Sequence, residues 1–240
     1  MAGVGSRVRF PGEIFVMMLA TRTDQARLNM IEQQIRPWDV LDPRVLNLLA
    51  ALPREDFAPE AYKALAFCDL EIPLTDDPDG PRMMRPNLEG RILQALAPEP
   101  GEQVLEIGTG SGYLSACLAR LGGRVTTVEI DAVLAEAARE RLRAHGIRNA
   151  HVQTGDAREG WGAGERYGAV AVTGAMYELT DAYRELLAVG GRMFVIVGVH
   201  PSMEAQWVIR TAERQWRIES LFETDIAYLE GLGPRPRFTF

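Results

Sequence analysis

The chain has 240 residues, 47% of them hydrophobic and 25% charged, with a formal net charge of −7. That length supports one large domain with a sizeable core, or one domain with a small appendage. The acidic balance excludes a broad nucleic-acid-binding face, which needs clustered cations. No stretch reaches the ~20 apolar residues of a membrane span.

The amino end carries Arg7 and Arg9 and then an apolar run, Ile14 to Ala20. The run has the minimum length of a signal-peptide core. Glu13 at its edge, and the lack of a small-x-small cleavage pattern after it, argue against export. Residues 1–22 read as a disordered extension, or as residues upstream of a start at Met17 or Met18. From Asp24 a helical pattern begins, with Thr23 as N-cap and Leu28, Ile31 and Ile35 at helical spacing. Arg36-Pro37-Trp38 ends it. Asp42-Pro43 opens a second helix, a capping residue followed by proline at the first helical position. Its apolar face is Val45, Leu48 and Leu49. A short third helix is expected around Pro59 to Ala66.

Residues 70–89 change character. Pro73, Pro78, Pro81 and Pro86, the acids Asp76, Asp77 and Asp79, and Gly80 describe a loop. A loop of that length is functional, mobile or a solvated linker. Arg82, Met83, Met84 and Arg85 stand out within it.

From Leu88 a helix runs to Leu96, and strict alternation follows. Strands are expected at 103–107, 124–129, 150–153, 168–173 and 192–197, and helices at 113–121, 132–144 and 178–188. Gly122-Gly123, Gly146 and Gly190-Gly191 read as helix ends. After residue 205 the pattern turns to strands: Gln206 to Thr211, Gln215 to Phe222 and a third at Ile226 to Leu229, with a hairpin turn at Ala212-Glu213-Arg214. This order predicts an α/β fold, a doubly wound, mostly parallel sheet that ends in an antiparallel hairpin.

The chemistry concentrates after the first strand, in Val104-Leu105-Glu106-Ile107-Gly108-Thr109-Gly110-Ser111-Gly112-Tyr113. A dinucleotide fingerprint would place glycine or alanine where Tyr113 stands. The third glycine is Gly112 instead, so the spacing is G-x-G-x-G. Glu129 ends the second strand, where a carboxylate can accept both hydroxyls of a ribose and repels a 2′-phosphate. Asp156 follows the third strand, where a carboxylate can take the exocyclic amine of adenine. Each acid read singly is also a solvated loop charge or a helix cap. Cys68, Cys117, His145, His151 and His200 fall at no metal-ligand spacing, so no metal site is expected. Cys117 reads as core packing.

These motifs resemble the first motif of class I S-adenosylmethionine-dependent methyltransferases. The resemblance implies S-adenosyl-L-methionine as cofactor, a Rossmann-like seven-stranded sheet, and a glycine turn of Gly108, Thr109, Gly110, Ser111 and Gly112 beneath the adenosine. It implies that Glu106 orients the amino-acid end of the cofactor, Glu129 the ribose and Asp156 the adenine. Further motifs narrow it. Met30-Ile31-Glu32-Gln33-Gln34-Ile35, Asp42-Pro43-Arg44-Val45-Leu46, Leu52-Pro53-Arg54-Glu55-Asp56-Phe57, Ala66-Phe67-Cys68-Asp69, Val172-Thr173-Gly174-Ala175 and Gly190-Gly191-Arg192 resemble the protein-L-isoaspartate O-methyltransferase family, in that family's order, over about residues 24–230.

The family resemblance implies methyl transfer to the α-carboxylate of isoaspartyl residues in damaged proteins, a repair reaction. It implies a helical and substrate-loop region over 23–89 and a cofactor-binding core over 90–240. It also implies a cytoplasmic monomer whose partner is an isoaspartyl protein or peptide, with no nucleic acid or membrane partner. The chain departs from the family in the substrate loop, which there reads close to G-Q-T-I-S-x-P. Here the nearest match is Gly80-Pro81-Arg82-Met83-Met84-Arg85-Pro86, with Met84 at the position of the substrate-contacting serine. Either Arg82 or Arg85 takes over the carboxylate, or the methionines wall a pocket for another acceptor, a small molecule or other polymer. A cofactor-binding adaptor without catalysis is the third reading. Asp69 matches the family and is expected to shape the pocket. No catalytic residue is transferred.

Overall fold

The computed structural model describes residues 22–162 and 164–234. The expectations for the first 21 residues, including the apolar run and the alternative starts, lie outside the described residues. A helix, α1, spans 22–30 and already contains Thr23, which therefore does not cap it. It widens into a π turn at Ile31–Ile35 and tightens into a 3₁₀ turn at Arg36–Trp38, where Asp39 adopts a left-handed conformation and stops it. Helix α2, Pro43–Ala51, is capped by Asp42, whose side chain accepts from the Arg44 backbone. A 3₁₀ turn at Arg54–Phe57 follows, and a second, Glu60–Leu65, stands where the short third helix was expected.

The 70–89 segment is partly ordered by pairing. Strand β1, Ile72–Pro73, and strand β2, Arg82–Met83, form a short antiparallel ribbon. Ile72 and Met83 are buried in the core. Helix α3, Pro86–Leu96, starts two residues earlier than expected, because Pro86 occupies its first turn after an extended Arg85.

The alternation that follows is β3 (Gln103–Ile107), α4 (Tyr113–Leu121), β4 (Arg124–Glu129), α5 (Ala132–Ala144), β5 (Ala150–Thr154), β6 (Tyr167–Met176), α6 (Asp181–Arg184), β7 (Leu187–Val199), β8 (Ser202–Ala212) and β9 (Gln215–Thr224). The seven-stranded sheet runs β5-β4-β3-β6-β7-β8-β9. Its first five strands are parallel, and β8 and β9 are antiparallel. Strand β3 sits between β4 and β6, so the chain winds away from it in both directions. That reversal opens a crevice at the carboxyl end of β3.

Alternation along the strands divides the core. Val104, Ala169, Ala171, Phe194 and Ile196 face a cluster shared with α2, α3 and α4. Leu105, Ile107, Val170, Val172, Met193 and Val195 face a second cluster that includes Tyr183, Leu186 and Leu187. The helical N-terminal region thus closes one face of the sheet. Tyr113 is fully buried in it, edge-on to Phe57 with centroids 5.3 Å apart. Gly112 rather than position 113 makes the close helix contact: at φ +82, its added Cβ would lie 3.2 Å from the Ala138 Cβ of α5.

Three further expectations need correction. The helix at 178–188 is only Asp181–Arg184, because Leu187 already pairs with Tyr167 at the start of β7. Gly190-Gly191 therefore ends no helix; it lies inside β7, where the register with β6 steps between Tyr167 and Ala169. The segment at 226–229 is not a strand of the sheet. It crosses β6 at a single bridge, Ala175 to Tyr228, and so brings Tyr228 and Leu229 over the crevice.

Candidate functional site

The crevice is a cavity of about 460 Å³. Its floor is the glycine turn, Gly108 to Ser111, with Glu106 beneath and Glu129 beside it. Its far wall is the loop from Asp77 to Met84, and its roof is Tyr228 and Leu229. The fold therefore joins the glycine turn and the unusual loop in one space.

Glu106 is the most constrained group. It belongs to β3, has no exposed surface, and accepts from the Ser115 hydroxyl through Oε2. Its other oxygen, Oε1, is buried without a partner. Burial pushes its carboxyl up to about 7, against the opposing pull of the Ser115 hydrogen bond and the neighbouring Thr127 hydroxyl. A buried carboxylate oxygen with no donor is costly unless a ligand supplies one.

The turn above it is built for close approach. Gly108 has φ +93, and a Cβ there would fall 2.2 Å from Thr173 Oγ1. Thr173 Oγ1 is held 2.9 Å from the Ile107 carbonyl and 2.6 Å from that of Gly108, so the obstruction is fixed in place. Thr109 is pinned by a 2.6 Å contact between its hydroxyl and that of Thr127. Gly112 lies beyond the turn as the residue before α4, outside the cavity lining.

Glu129 ends β4 and is almost fully buried. Gly110 N donates to its Oε2 at 2.7 Å and Asp131 N to its Oε1 at 3.1 Å. These bonds aim the carboxylate along the floor of the turn. Asp156 lies in a narrow cleft continuous with the cavity through Gly108, Glu129 and Leu229. Its oxygens take the Arg158 backbone N–H at 2.9 Å and the Arg158 guanidinium at 2.8 Å. Those Arg158 hydrogen bonds hold its carboxyl below the usual range.

The loop candidates separate. Met84 is half-buried and joins Met83 in the cavity wall. Arg82 also lines the cavity; one guanidinium nitrogen donates to the Pro78 carbonyl at 2.7 Å. Arg85 instead lines a neighbouring charged cavity of about 540 Å³ with Trp38, Glu71 and Asp225. Arg82 reaches both spaces. Asp69 is exposed and lines neither cavity, because its turn faces solvent.

Glu89 and Arg54 are among the charged residues missed as site candidates. Glu89 lines the cavity from the first turns of α3 and pairs with Arg54, Nε to Oε2 at 2.8 Å. A readable signal for Glu89 existed. It shares the spacing of Ile92, Leu93 and Leu96, so a carboxylate sits on the apolar stripe of the helix. Among the described residues, no cluster of His, Cys, Asp and Glu has the make-up of a metal site.

Comparison with known proteins follows the same lines. The family model "Protein-L-isoaspartate(D-aspartate) O-methyltransferase" matches residues 25–229. Protein-L-isoaspartate O-methyltransferase 1 of Rhodopseudomonas palustris (strain HaA2) is 37% identical over 227 residues, which cover 91% of each chain. Protein-L-isoaspartate O-methyltransferase of Aeropyrum pernix is 38% identical over 228 residues, 91% of this chain and 84% of that one. A solved protein-L-isoaspartate O-methyltransferase shares the fold with a TM-score of 0.75 at 23% identity, over 88% of this chain and 67% of that one. A Plasmodium falciparum structure assigned to the same activity, in complex with S-adenosyl-L-homocysteine, superposes with a TM-score of 0.71 at 16% identity, over 87% and 98%.

Proposed function

The chain belongs to the protein-L-isoaspartate O-methyltransferase family, and from that premise we infer that the 460 Å³ cavity is where a methyl group passes from S-adenosylmethionine to the α-carboxylate of an isoaspartyl residue. The chain is thus an S-adenosylmethionine-dependent methyltransferase that acts in protein repair. The observation that carries the site assignment is the sharing of one cavity by an unpartnered buried Glu106 oxygen, the glycine turn and the Arg82-Met83-Met84 loop.

The residues suit the cofactor. Glu106 Oε1 lacks a donor, and the ammonium of an amino-acid moiety is one. Glu129 keeps lone pairs free beyond its two backbone bonds and can accept from ribose hydroxyls. Asp156 would take the adenine amine at the end of the cleft, in exchange with Arg158. When bound, S-adenosylmethionine supplies an electrophilic methyl carried on a sulfonium. The protein's task is then alignment and exclusion of water, since a carboxylate is already nucleophilic. Positioning of this kind supplies roughly 7–11 kcal/mol of barrier reduction. Met83, Met84, Leu114, Leu134 and Leu229 give the cavity its apolar walls.

Arg82 is the one cationic side chain in the cavity lining among the described residues, and it is our candidate for the acceptor carboxylate. Guanidinium binds carboxylate through a two-toothed fork that the missing serine could not offer. Arg82→Ala is expected to raise the KM for an isoaspartyl peptide about 10- to 100-fold, the effect of losing a charged hydrogen bond of about 1.5–3 kcal/mol. Arg85→Ala is expected to leave it within about threefold, since Arg85 lines only the other cavity. Equal, small effects of both would remove Arg82 from this role. The activity itself is tested with labelled cofactor on an isoaspartyl peptide beside its normal-aspartyl twin. Methylation of neither, with cofactor binding intact, sinks the repair assignment.

A pH dependence follows from Glu106. Pairing with an ammonium needs the ionised carboxylate, which the ligand-free protein favours only above about pH 7. S-adenosylhomocysteine should therefore bind about tenfold more tightly at pH 8 than at pH 6 in calorimetry. For folding the sign is opposite. Between about pH 4.5 and 7 the native Glu106 retains a proton that the unfolded chain has released. The ligand-free protein thus loses stability as pH rises through that window, and the thermal shift given by ligand grows. A flat binding profile from pH 6 to 8 would remove Glu106 from the cofactor site.

The acid-rich lining (Asp77, Asp79, Glu89, Asp131 and Glu230 beside Glu106 and Glu129) favours a second reading, methylation of another acceptor. Transfer of label to another lysate component while the peptide stays inert would support it. We place the enzyme in the cytoplasm as a monomer, with both cysteines free and Cys117 buried. No described helix is long and apolar enough to cross a membrane. We divide the labour between an acceptor-side region at 23–89, which contributes the loop, and a cofactor-binding core at 90–240.

A further inference from the structure

The side chains of Arg54 and Glu89 are 1% and 2% exposed. A buried ion pair is weak evidence for stability, because apolar residues of similar volume often do as well. What distinguishes this pair is the set of segments it joins. Arg54 Nε donates to Glu89 Oε2 at 2.8 Å, in the first turn of α3. Nη1 donates to the Ala66 carbonyl and Nη2 to the Met84 carbonyl, each at 2.5 Å. The guanidinium also lies 5.6 Å from the centre of the Tyr113 ring, at the start of α4.

Tyr113 immediately follows the glycine turn, and Met84 immediately follows β2. The guanidinium is therefore a rigid link between the cofactor floor and the loop that forms the opposite wall. Its planar fork can hold two carbonyls and a carboxylate at fixed angles, which an ammonium cannot. Glu89 orients that fork and itself faces the cavity.

We propose that the Arg54–Glu89 pair is a positioning device for the acceptor side of the cavity, setting the separation of the Arg82-Met83-Met84 wall from the glycine turn through the Met84 carbonyl. The role in turnover rests on the methyl-transfer reading above; the clamp itself does not. Arg54 lies outside the cavity lining and acts through the Met84 wall, so the consequence belongs to acceptor KM rather than to cofactor affinity.

The test uses the full chain as Arg54→Lys and as the double variant Arg54→Met/Glu89→Met, which replaces the pair by apolar groups. Both are measured for thermal midpoint, S-adenosylhomocysteine binding, amide hydrogen exchange at residues 82–85 with that ligand bound, and KM and kcat on an isoaspartyl peptide. Folded protein should bind the ligand within about threefold of the parent, exchange at 82–85 about tenfold faster, and show a KM raised about tenfold with kcat changed less than threefold; the ratios follow if the wall is held by one fork of charged hydrogen bonds. The double variant, which removes the buried charge with its partner, should have a thermal midpoint no lower than that of Arg54→Lys while showing the same exchange and KM changes, a split that a merely structural pair does not give. Unchanged exchange in either folded variant overturns the clamp. Failure of both variants to fold also overturns it, because the pair then serves stability. If the parent enzyme does not methylate the peptide, the methyl-acceptor reading fails, while the exchange data still decide the clamp.

Discussion

Gly108→Ala is expected to abolish binding of S-adenosylmethionine while leaving a folded protein. The new Cβ would lie 2.2 Å from Thr173 Oγ1 and 3.1 Å from Leu229 Cδ2, both in the cavity wall. Thr173 cannot rotate away freely, since its hydroxyl holds the Ile107 and Gly108 carbonyls. The left-handed φ of +93 adds strain of about 1–2 kcal/mol, and overpacking about 1–3 kcal/mol more. A domain of ordinary stability, about 5–15 kcal/mol, survives that loss. The turn does not survive unchanged, because the backbone must move by a large part of an ångström. A preorganised cradle displaced so far should lose at least ~100-fold in affinity, by the general dependence of binding on preformed geometry. Calorimetry with S-adenosylhomocysteine, beside a thermal melt, checks both parts. A folded variant that binds within threefold of the parent would show that the cofactor does not rest on this turn.

The glycine-turn side of the cavity was legible because glycine and aspartate punctuate it. Strands β3 and β4 and helices α4 and α5 have the bounds expected of them, since each apolar run is closed by a glycine or an acidic cap such as Asp131. Such signals are local, so a sequence carries them openly. The 178–188 helix failed for the complementary reason. Tyr183, Leu186 and Leu187 have helical spacing, yet Leu187 is buried by pairing with Tyr167, a partner twenty residues away in sequence. Nothing local distinguishes the two ways of burying it.

The loop side of the cavity was less legible because charge alone does not say where a side chain points. Arg82 and Arg85 flank two methionines symmetrically in the sequence. The two-residue strand β2 and the proline-started α3 bring both to the charged cavity beside Trp38, but only Arg82 also to the cavity over the glycine turn. Asp69 carried the family pattern and lies in solvent. Arg54 sat within a recognised motif, but its three partners are 12 to 35 residues away, and no periodicity encodes them. The fold and the glycine turn thus follow from patterns within one element, whereas the opposite wall of the cavity depends on contacts between elements.

The second large effect concerns the buried carboxylate at the base of the turn. Glu106→Gln should make the ligand-free protein more stable and a much poorer binder of cofactor. The acid is wholly buried, with its carboxyl pushed up to about 7. At pH 8 the native state therefore carries an ionised group in a site that disfavours charge. Glutamine is nearly isosteric, can still accept from the Ser115 hydroxyl, and removes that charge. Its own amide remains to be satisfied, so the net gain at pH 8 is about 1–3 kcal/mol rather than the full cost of the shifted carboxyl. Binding moves the other way. The ammonium loses its counter-charge and a charged hydrogen bond of about 1.5–3 kcal/mol, a 10- to 100-fold loss of affinity. The variant should also lose the rise in affinity between pH 6 and 8, because glutamine has no proton to release. A melt at pH 8, with calorimetry at both pH values, reads all three effects on one protein. Lower stability with undiminished, still pH-dependent binding would mean that Glu106 is a structural acid, and that another group receives the amino-acid end of the cofactor.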